Sequence, residues 1–196
     1  MTFLSQPISP CYDLIMHSFQ RVCILGNSGS GKSTLAQALG ARYGLPVIHL
    51  DQELLHGQFE PYPEDEERAR HDRLIHLDKW IIDGRYSKLM SARFARADLV
   101  IFLNVPRWLV IPRAWQRTRQ PDTRLGAPVG AKQVYNQELL AHQLKFNRRR
   151  RLQQLVDSLK EHPYLKLIVL KPGSVAKWMA QIEYADKASM HPKCRH

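Results

Sequence analysis

Residues 26–33 read "GNSGSGKS", a G-x-x-x-x-G-K-S pattern between the apolar run "RVCILG" (21–26) and the helix-prone "KSTLAQALGARYG" (32–44). A strand feeding a glycine-rich turn that opens a helix is built to hold phosphate, and no other stretch constrains the fold as tightly. Gly26, Gly29 and Gly31 let the backbone curl until the amides around Asn27, Ser28 and Ser30 converge on phosphate oxygens. The helix beginning near Lys32 adds its partial positive end to the pull on an anion. Lys32 is spaced to reach the β- and γ-phosphates of a nucleoside triphosphate, the Ser33 hydroxyl to ligate Mg²⁺, and Thr34 extends the cradle. The implied cofactors are ATP and Mg²⁺.

Four further apolar runs read as strands: "PVIHLD" (46–51), "WIIDG" (80–84), "DLVIFLNV" (98–105) and "YLKLIVL" (164–170). Runs this continuous belong to parallel strands covered on both faces. Helices are predicted over 32–44, 64–79, 107–119, 131–159 and 174–183. In the first, Leu35, Ala38, Leu39 and Arg42 fall at helical spacing before Gly44 as a stop. In the second, Leu74, Ile75 and Leu77 point to the core. Alternating strands and helices mean an α/β sandwich on a parallel sheet with right-handed crossovers.

Asp83 ends an apolar strand beside the loop, where a carboxylate coordinates Mg²⁺ through water or, alternatively, caps the following turn. Asp51 ends the second strand on the same edge. It suits an acceptor hydroxyl or a base, and equally a helix N-cap.

Charge is concentrated. The net charge is +11, and between Arg107 and Arg151 eleven Lys/Arg face only Asp122 and Glu138. A regional excess of this kind favours a local anionic ligand over a generally adhesive surface. The run "FNRRRR" (146–151) cannot turn all of Arg148–Arg151 to one ligand, since successive helix residues step by about 100°. A solvated face, a phosphate clamp using Arg148 or Arg151, and nucleic acid are the three readings. Arg149 and Arg150 are read as facing solvent. Nucleic acid ranks last, for no helix-turn-helix, zinc spacing or ribonucleoprotein pattern lies nearby. Phe146, Trp108 and Trp115 are assigned to the core.

The 196 residues suffice for one domain. Residues 1–19 read as an N-terminal extension, 20–185 as the domain and 186–196 as a frayed tail, with Met16 close ahead of the first strand. No run approaches the ~18 apolar residues of a membrane span, and no secretory signal is legible. Cys11, Cys23 and Cys194 lack metal spacing and suit a reducing cytosol, so a cytoplasmic monomer or dimer is expected.

The chain resembles the P-loop kinases of the adenylate kinase group, and more closely the bacterial DNA topology modulation protein (FlaR-like) family. "RVCILGNSGSGKSTLAQALG", "GLPVIHLD", "WIIDGRYS", "ADLVIFLNVPRWL", the arginines 113 and 117, and "FNRRRR" carry the likeness, across about residues 20–185. It implies a three-layer P-loop NTPase fold with a five-stranded parallel sheet, a helical substrate-binding insertion after the second strand and an arginine-rich lid over about 107–151. Arg113 would lie against the nucleotide base and Arg117 would reach its phosphates, while "KPGS" (171–174) with Pro172 would flank the adenine. The acceptor would contact Asp51, Arg85, Tyr86 and Arg148. "DGRYS" replaces the "DGFPR" usual in adenylate kinases, so the acceptor need not be a nucleoside monophosphate. The implied activity is transfer of the γ-phosphoryl of Mg-ATP to a small acceptor. The alternatives are a nucleotide-dependent DNA-binding regulator and an ATPase without acceptor.

Overall fold

The computed structural model describes residues 19–57, 59–117, 126–128 and 136–180. Residues 1–18 of the extension, the tail, Cys11, Cys194 and most of the 120–140 segment lie outside these residues, while Phe19 packs against the core. The elements run β1 (Arg21–Gly26), α1 (Lys32–Tyr43), β2 (Val47–His49), α2 (Leu50–Glu53), β3 (Leu55–His56), β4 (Glu60–Pro61) and α3 (Glu64–Ile75). There follow β5 (Trp80–Asp83), α4 (Met90–Phe94), β6 (Leu99–Leu103), α5 (Arg107–Arg117), α6 (Gln137–Lys145), α7 (Arg148–Glu161) and β7 (Lys166–Leu170). A last helical stretch, α8, covers 174–180.

Five strands form one sheet in the order β2-β5-β1-β6-β7, with every pair parallel. Strand residues alternate between its faces, which divides the core in two. Val22, Ile24, Ile81 and Ile101 point one way, onto Leu35 and Leu39 of α1, Val110 of α5 and Trp178 of α8. Cys23, Leu25, Ile82, Val100 and Phe102 point the other way, onto Leu50, Ile75, Phe94, Phe146 and Leu155. The three layers follow directly, and strands with both faces covered explain why the sequence shows apolar runs and not alternation.

Several boundaries differ from the expectation. The second strand stops at His49, because the chain turns into α2, so Asp51 sits in that helix with His49 at its N-cap position. The predicted 131–159 helix is two helices, interrupted at Phe146–Asn147, where Asn147 Oδ1 accepts from the Arg150 amide to cap a fresh helix. On α1 the inward residues are Leu35, Ala36, Leu39 and Gly40, and Ala38 is exposed. Gly44 does end that helix, with φ 63°. Helix α3 stops at Ile75, leaving Leu77 outside it and 47% exposed. Trp108 and Trp115 are 71% and 45% exposed, against the core assignment. The reason is geometric: α5 buries Val110 and Ala114, and positions 108 and 115 lie on its other side.

One buried cation shapes the loop after β5. Arg93 is wholly buried, and its Nη1 donates to the Gly84 carbonyl at 2.9 Å while Nη2 donates to the Arg85 carbonyl at 2.9 Å and to that of Tyr86 at 3.4 Å. His71 is buried near it. Burial first, and then the Arg93 charge, push its imidazole down to about 4, so the ring is neutral.

Arg93→Met is expected to remove about 3 kcal/mol of unfolding free energy in urea, since it strips charged donors from buried carbonyls. His71 gives a pH signature. Its pKa is about 4 in the fold against 6.5 as a free side chain. The unfolded chain therefore takes up a proton that the fold refuses, and stability falls as pH drops from about 6.5 to 4. His71→Phe should flatten that part of the stability–pH curve.

Candidate functional site

The site lies at the C-terminal edge of the sheet, where β1, β2, β5 and β6 all end. The phosphate loop leaves β1 at Gly26, and α1 starts with the Leu35 amide donating to the Gly31 carbonyl at 3.0 Å. Gly29 and Gly31 have φ of 84° and 93°, the left-handed region where a side chain is strained. At Gly29 space is lacking as well, since a Cβ would stand 2.7 Å from the Val110 carbonyl oxygen of α5. At Gly31 a Cβ would meet nothing, so the constraint there is the dihedral alone.

Side chains hold this loop. Asn27 is 1% exposed, and its Oδ1 accepts from the Ser28 amide at 2.9 Å. Gln143 of α6, fully buried, donates through Nε2 to the Ser28 carbonyl at 3.2 Å, and its own carbonyl accepts from Asn27 Nδ2 at 3.4 Å. Lys32 Nζ donates to the Asn27 carbonyl at 3.2 Å, so the ammonium lies across the loop's concave side.

Asp83 gathers three elements. Its Oδ2 accepts from the Ser33 hydroxyl at 2.6 Å, and its Oδ1 lies 2.7 Å from His49 Nδ1. A carboxylate only accepts, so Nδ1 carries the proton, and His49 Nε2 accepts from Gln37 Nε2 at 3.0 Å. Both oxygens of Asp83 are thus met by side chains from the loop helix and from β2. Gly126 packs on the same histidine: a Cβ there would be 2.7 Å from the imidazole Cγ. Ser33 and Asp83 offer hard oxygen donors at one point, which fits Mg²⁺, an ion that takes one or two protein oxygens and completes its shell with phosphate and water. No group of three or more His, Cys, Asp or Glu side chains suited to a metal occurs among the described residues.

Across the mouth, Tyr86 of the β5 exit loop hydrogen-bonds to Asp51, and its hydroxyl is pushed far up by burial and then by the Asp51 charge. Tyr86 has φ 36°, a strained value for a tyrosine, and the loop carrying it is the one Arg93 pins. Arg85 Nη2 donates to His142 Nε2 of α6 at 2.6 Å. Burial, then the charges of Arg85 and Lys32, hold His142 below its usual range.

The structure therefore brings Lys32, Ser33 and Asp83 together, and Asp51, Arg85 and Tyr86 beside them. Arg148 instead donates to Asn104 Oδ1 at 3.1 Å at the end of β6. Arg113 is exposed on α5 and Pro172 in the turn after β7. The Arg117 side chain lies outside the described residues. His49, Gln37, His142 and Gln143 were not singled out in the sequence. His49 could have been found, since it sits two residues before Asp51 in "HLD", but nothing local marks His142 or Gln143.

No protein-family model matches this chain, and no curated protein matches it. Among solved structures it is similar to a shikimate kinase from Acinetobacter baumannii in complex with shikimate, at 14% identity and TM-score 0.50, over 91% of this chain and 98% of that one. A gluconokinase from Sinorhizobium meliloti 1021 aligns at 16% identity and TM-score 0.49, over 88% of this chain and 98% of that one. A shikimate kinase from Bacteroides thetaiotaomicron aligns at 14% identity and TM-score 0.47, over 89% of this chain and 100% of that one. Identities this low speak to fold alone, and the α/β fold on a five-stranded parallel sheet is the one the sequence led us to expect.

Proposed function

We propose that this chain is a phosphotransferase that moves the γ-phosphoryl group of Mg-ATP to a hydroxyl of a small acceptor. The observation that carries this reading is the 2.6 Å contact of Ser33 with Asp83 at the mouth of a phosphate loop, opposite an Asp51–Tyr86 pair. In this mechanism Lys32 leaves the Asn27 carbonyl for the donor phosphates, and the amides of 27–34 hold their oxygens. Ser33 and Asp83 are the residues that would hold Mg²⁺, which when bound offsets the charge of the β- and γ-phosphates.

An Asp51 carboxylate oxygen accepts the proton of the acceptor hydroxyl as the hydroxyl oxygen attacks the γ-phosphorus. The bond to the β-phosphate oxygen breaks, and ADP leaves. Arg113 and Pro172 flank the base, and Arg117 supplies positive charge where it spreads over the equatorial oxygens. Lid residues exclude water, so that the acceptor hydroxyl and not solvent meets the phosphorus.

Lys32→Ala is expected to abolish most of the thermal stabilisation that Mg-ATP confers while the unliganded melting temperature stays close to wild type. An unchanged Mg-ATP response in this variant would refute the loop's role. Arg117→Ala should lower phosphoryl transfer by on the order of a hundredfold, as loss of a transition-state cation does, whereas Arg149→Gln should change it by only a few-fold. Assays at about 50 and 200 mM salt, scored for turnover and for duplex-DNA retention, decide between enzyme and regulator, because DNA affinity collapses over that range. Intact turnover in Arg117→Ala together with loss of DNA retention in Arg149→Gln would favour the regulator.

A further inference from the structure

We propose that the acceptor carries an anionic group, a carboxylate or a phosphate monoester, seated between Arg85, His142 and Arg151. This rests on the phosphotransferase reading and names the class of acceptor it would use.

Arg85 and His142 meet there, and Arg151 stands nearby at the start of α7. The Arg85 guanidinium meets a histidine nitrogen and not a carboxylate, and it lies 5.9 Å from the centre of the Phe146 ring. With Nε2 accepting from Arg85, the neutral His142 ring keeps its Nδ1–H to donate. Arg151 donates through Nη1 to Gln154 Oε1 at 2.9 Å, a neutral partner again. Arg151 lies in the first turn of α7, which starts just after Phe146, the ring beside Arg85, and its charge acts on both Arg85 and His142. Among the described residues no carboxylate pairs with Arg85 or Arg151, and the nearby Asp51 is engaged by Tyr86.

The surroundings deepen the excess. Arg151 also lines a groove of about 400 Å³ together with Arg107, Lys145, Asn147, Arg150 and Gln154. Arg85 and His142 do not line it, so the groove adds positive charge beside the proposed seat. Two of the cations lining it, Arg150 and Arg151, belong to the first turn of α7, which holds four arginines and no acidic residue. Positive side chains at a helix N-terminus oppose the helix dipole, so the placement costs stability unless an anion offsets it. The donor phosphates already have Lys32, the loop amides and the start of α1. Arg85 and Arg151 hang from the β5 exit loop and α7, on the Asp51 side, where an acceptor would lie.

The test uses the full chain saturated with Mg-ADP, so that the phosphate loop is filled before inorganic phosphate or succinate is added in separate arms. Filling one further site at several times its dissociation constant should raise the melting temperature by about 3 °C. We expect one of the two anions to do so, and its identity tells phosphate from carboxylate recognition. Arg85→Gln and Arg151→Gln should each lose the rise, Arg85→Lys should keep part of it, and Arg149→Gln all of it. Melting without added anion shows that each variant folds. No rise in the wild type with either anion, or a rise that survives in both Arg85→Gln and Arg151→Gln, overturns the proposal. Should the wild-type chain ignore Mg-ADP yet respond to phosphate through Arg85, the phosphotransferase reading fails and the anion subsite stands.

Discussion

Asp83 is 5% exposed at the end of a central strand, and each of its oxygens is met by a side chain from a neighbouring strand–helix junction. A buried carboxylate is tolerable only when hydrogen-bonded, so Ser33 and His49 are obliged to converge on it. That convergence fixes the first turn of α1 against β5 and the end of β2 against both. The parallel pairing of Ile24 with Asp83 and of His49 with Asp83 makes the contact repeatable, because it sets all three chain segments at one height. The phosphate loop, the Asp51 helix and the Tyr86 loop are all hung from these junctions.

The two flanks of the site are held by different physics. On the phosphate-loop side the contacts are neutral and close-packed: Gly29 under the Val110 carbonyl, Asn27 donating to the Gln143 carbonyl, and Gln143 donating to that of Ser28. On the opposite side charge dominates. Arg93 is buried beneath the 84–86 loop and spends its donors on backbone carbonyls, while Arg85 and Arg151 stand near each other without a carboxylate partner among the described residues. A neutral, rigid flank suits a ligand of constant shape, and a flank with spare positive charge suits an anion that arrives and leaves.

Much of this was legible in the chain itself. "GNSGSGKS" after "RVCILG" announced the loop, because its glycines and Lys-Ser have a joint purpose that composition alone rarely produces. The continuous apolar runs marked five strands and the parallel sheet, since only strands covered on both faces lack polar alternation. Local signals failed where burial depends on a partner far along the chain. Trp108 and Trp115 looked like core because they are large and apolar, yet α5 turns Val110 and Ala114 inward. The 131–159 helix looked continuous, yet Phe146 is drawn into the second core and Asn147 caps a new helix.

Neighbouring residues and their period suffice for the strand–loop–helix unit, the five strands of the parallel sheet and the concentration of positive charge in 107–151, but they did not reveal the short β3–β4 pair. Only the tertiary structure decided which of the four arginines does what. Arg148 is drawn to Asn104 at the end of β6, Arg149 and Arg150 remain exposed, and Arg151 is felt at Arg85 and His142. The same holds for His49, His142 and Gln143, whose partners lie tens of residues away in sequence. A helix separates consecutive side chains by about 100°, so four identical letters do not share one environment, and their surroundings are set by the strands and loops packed around them.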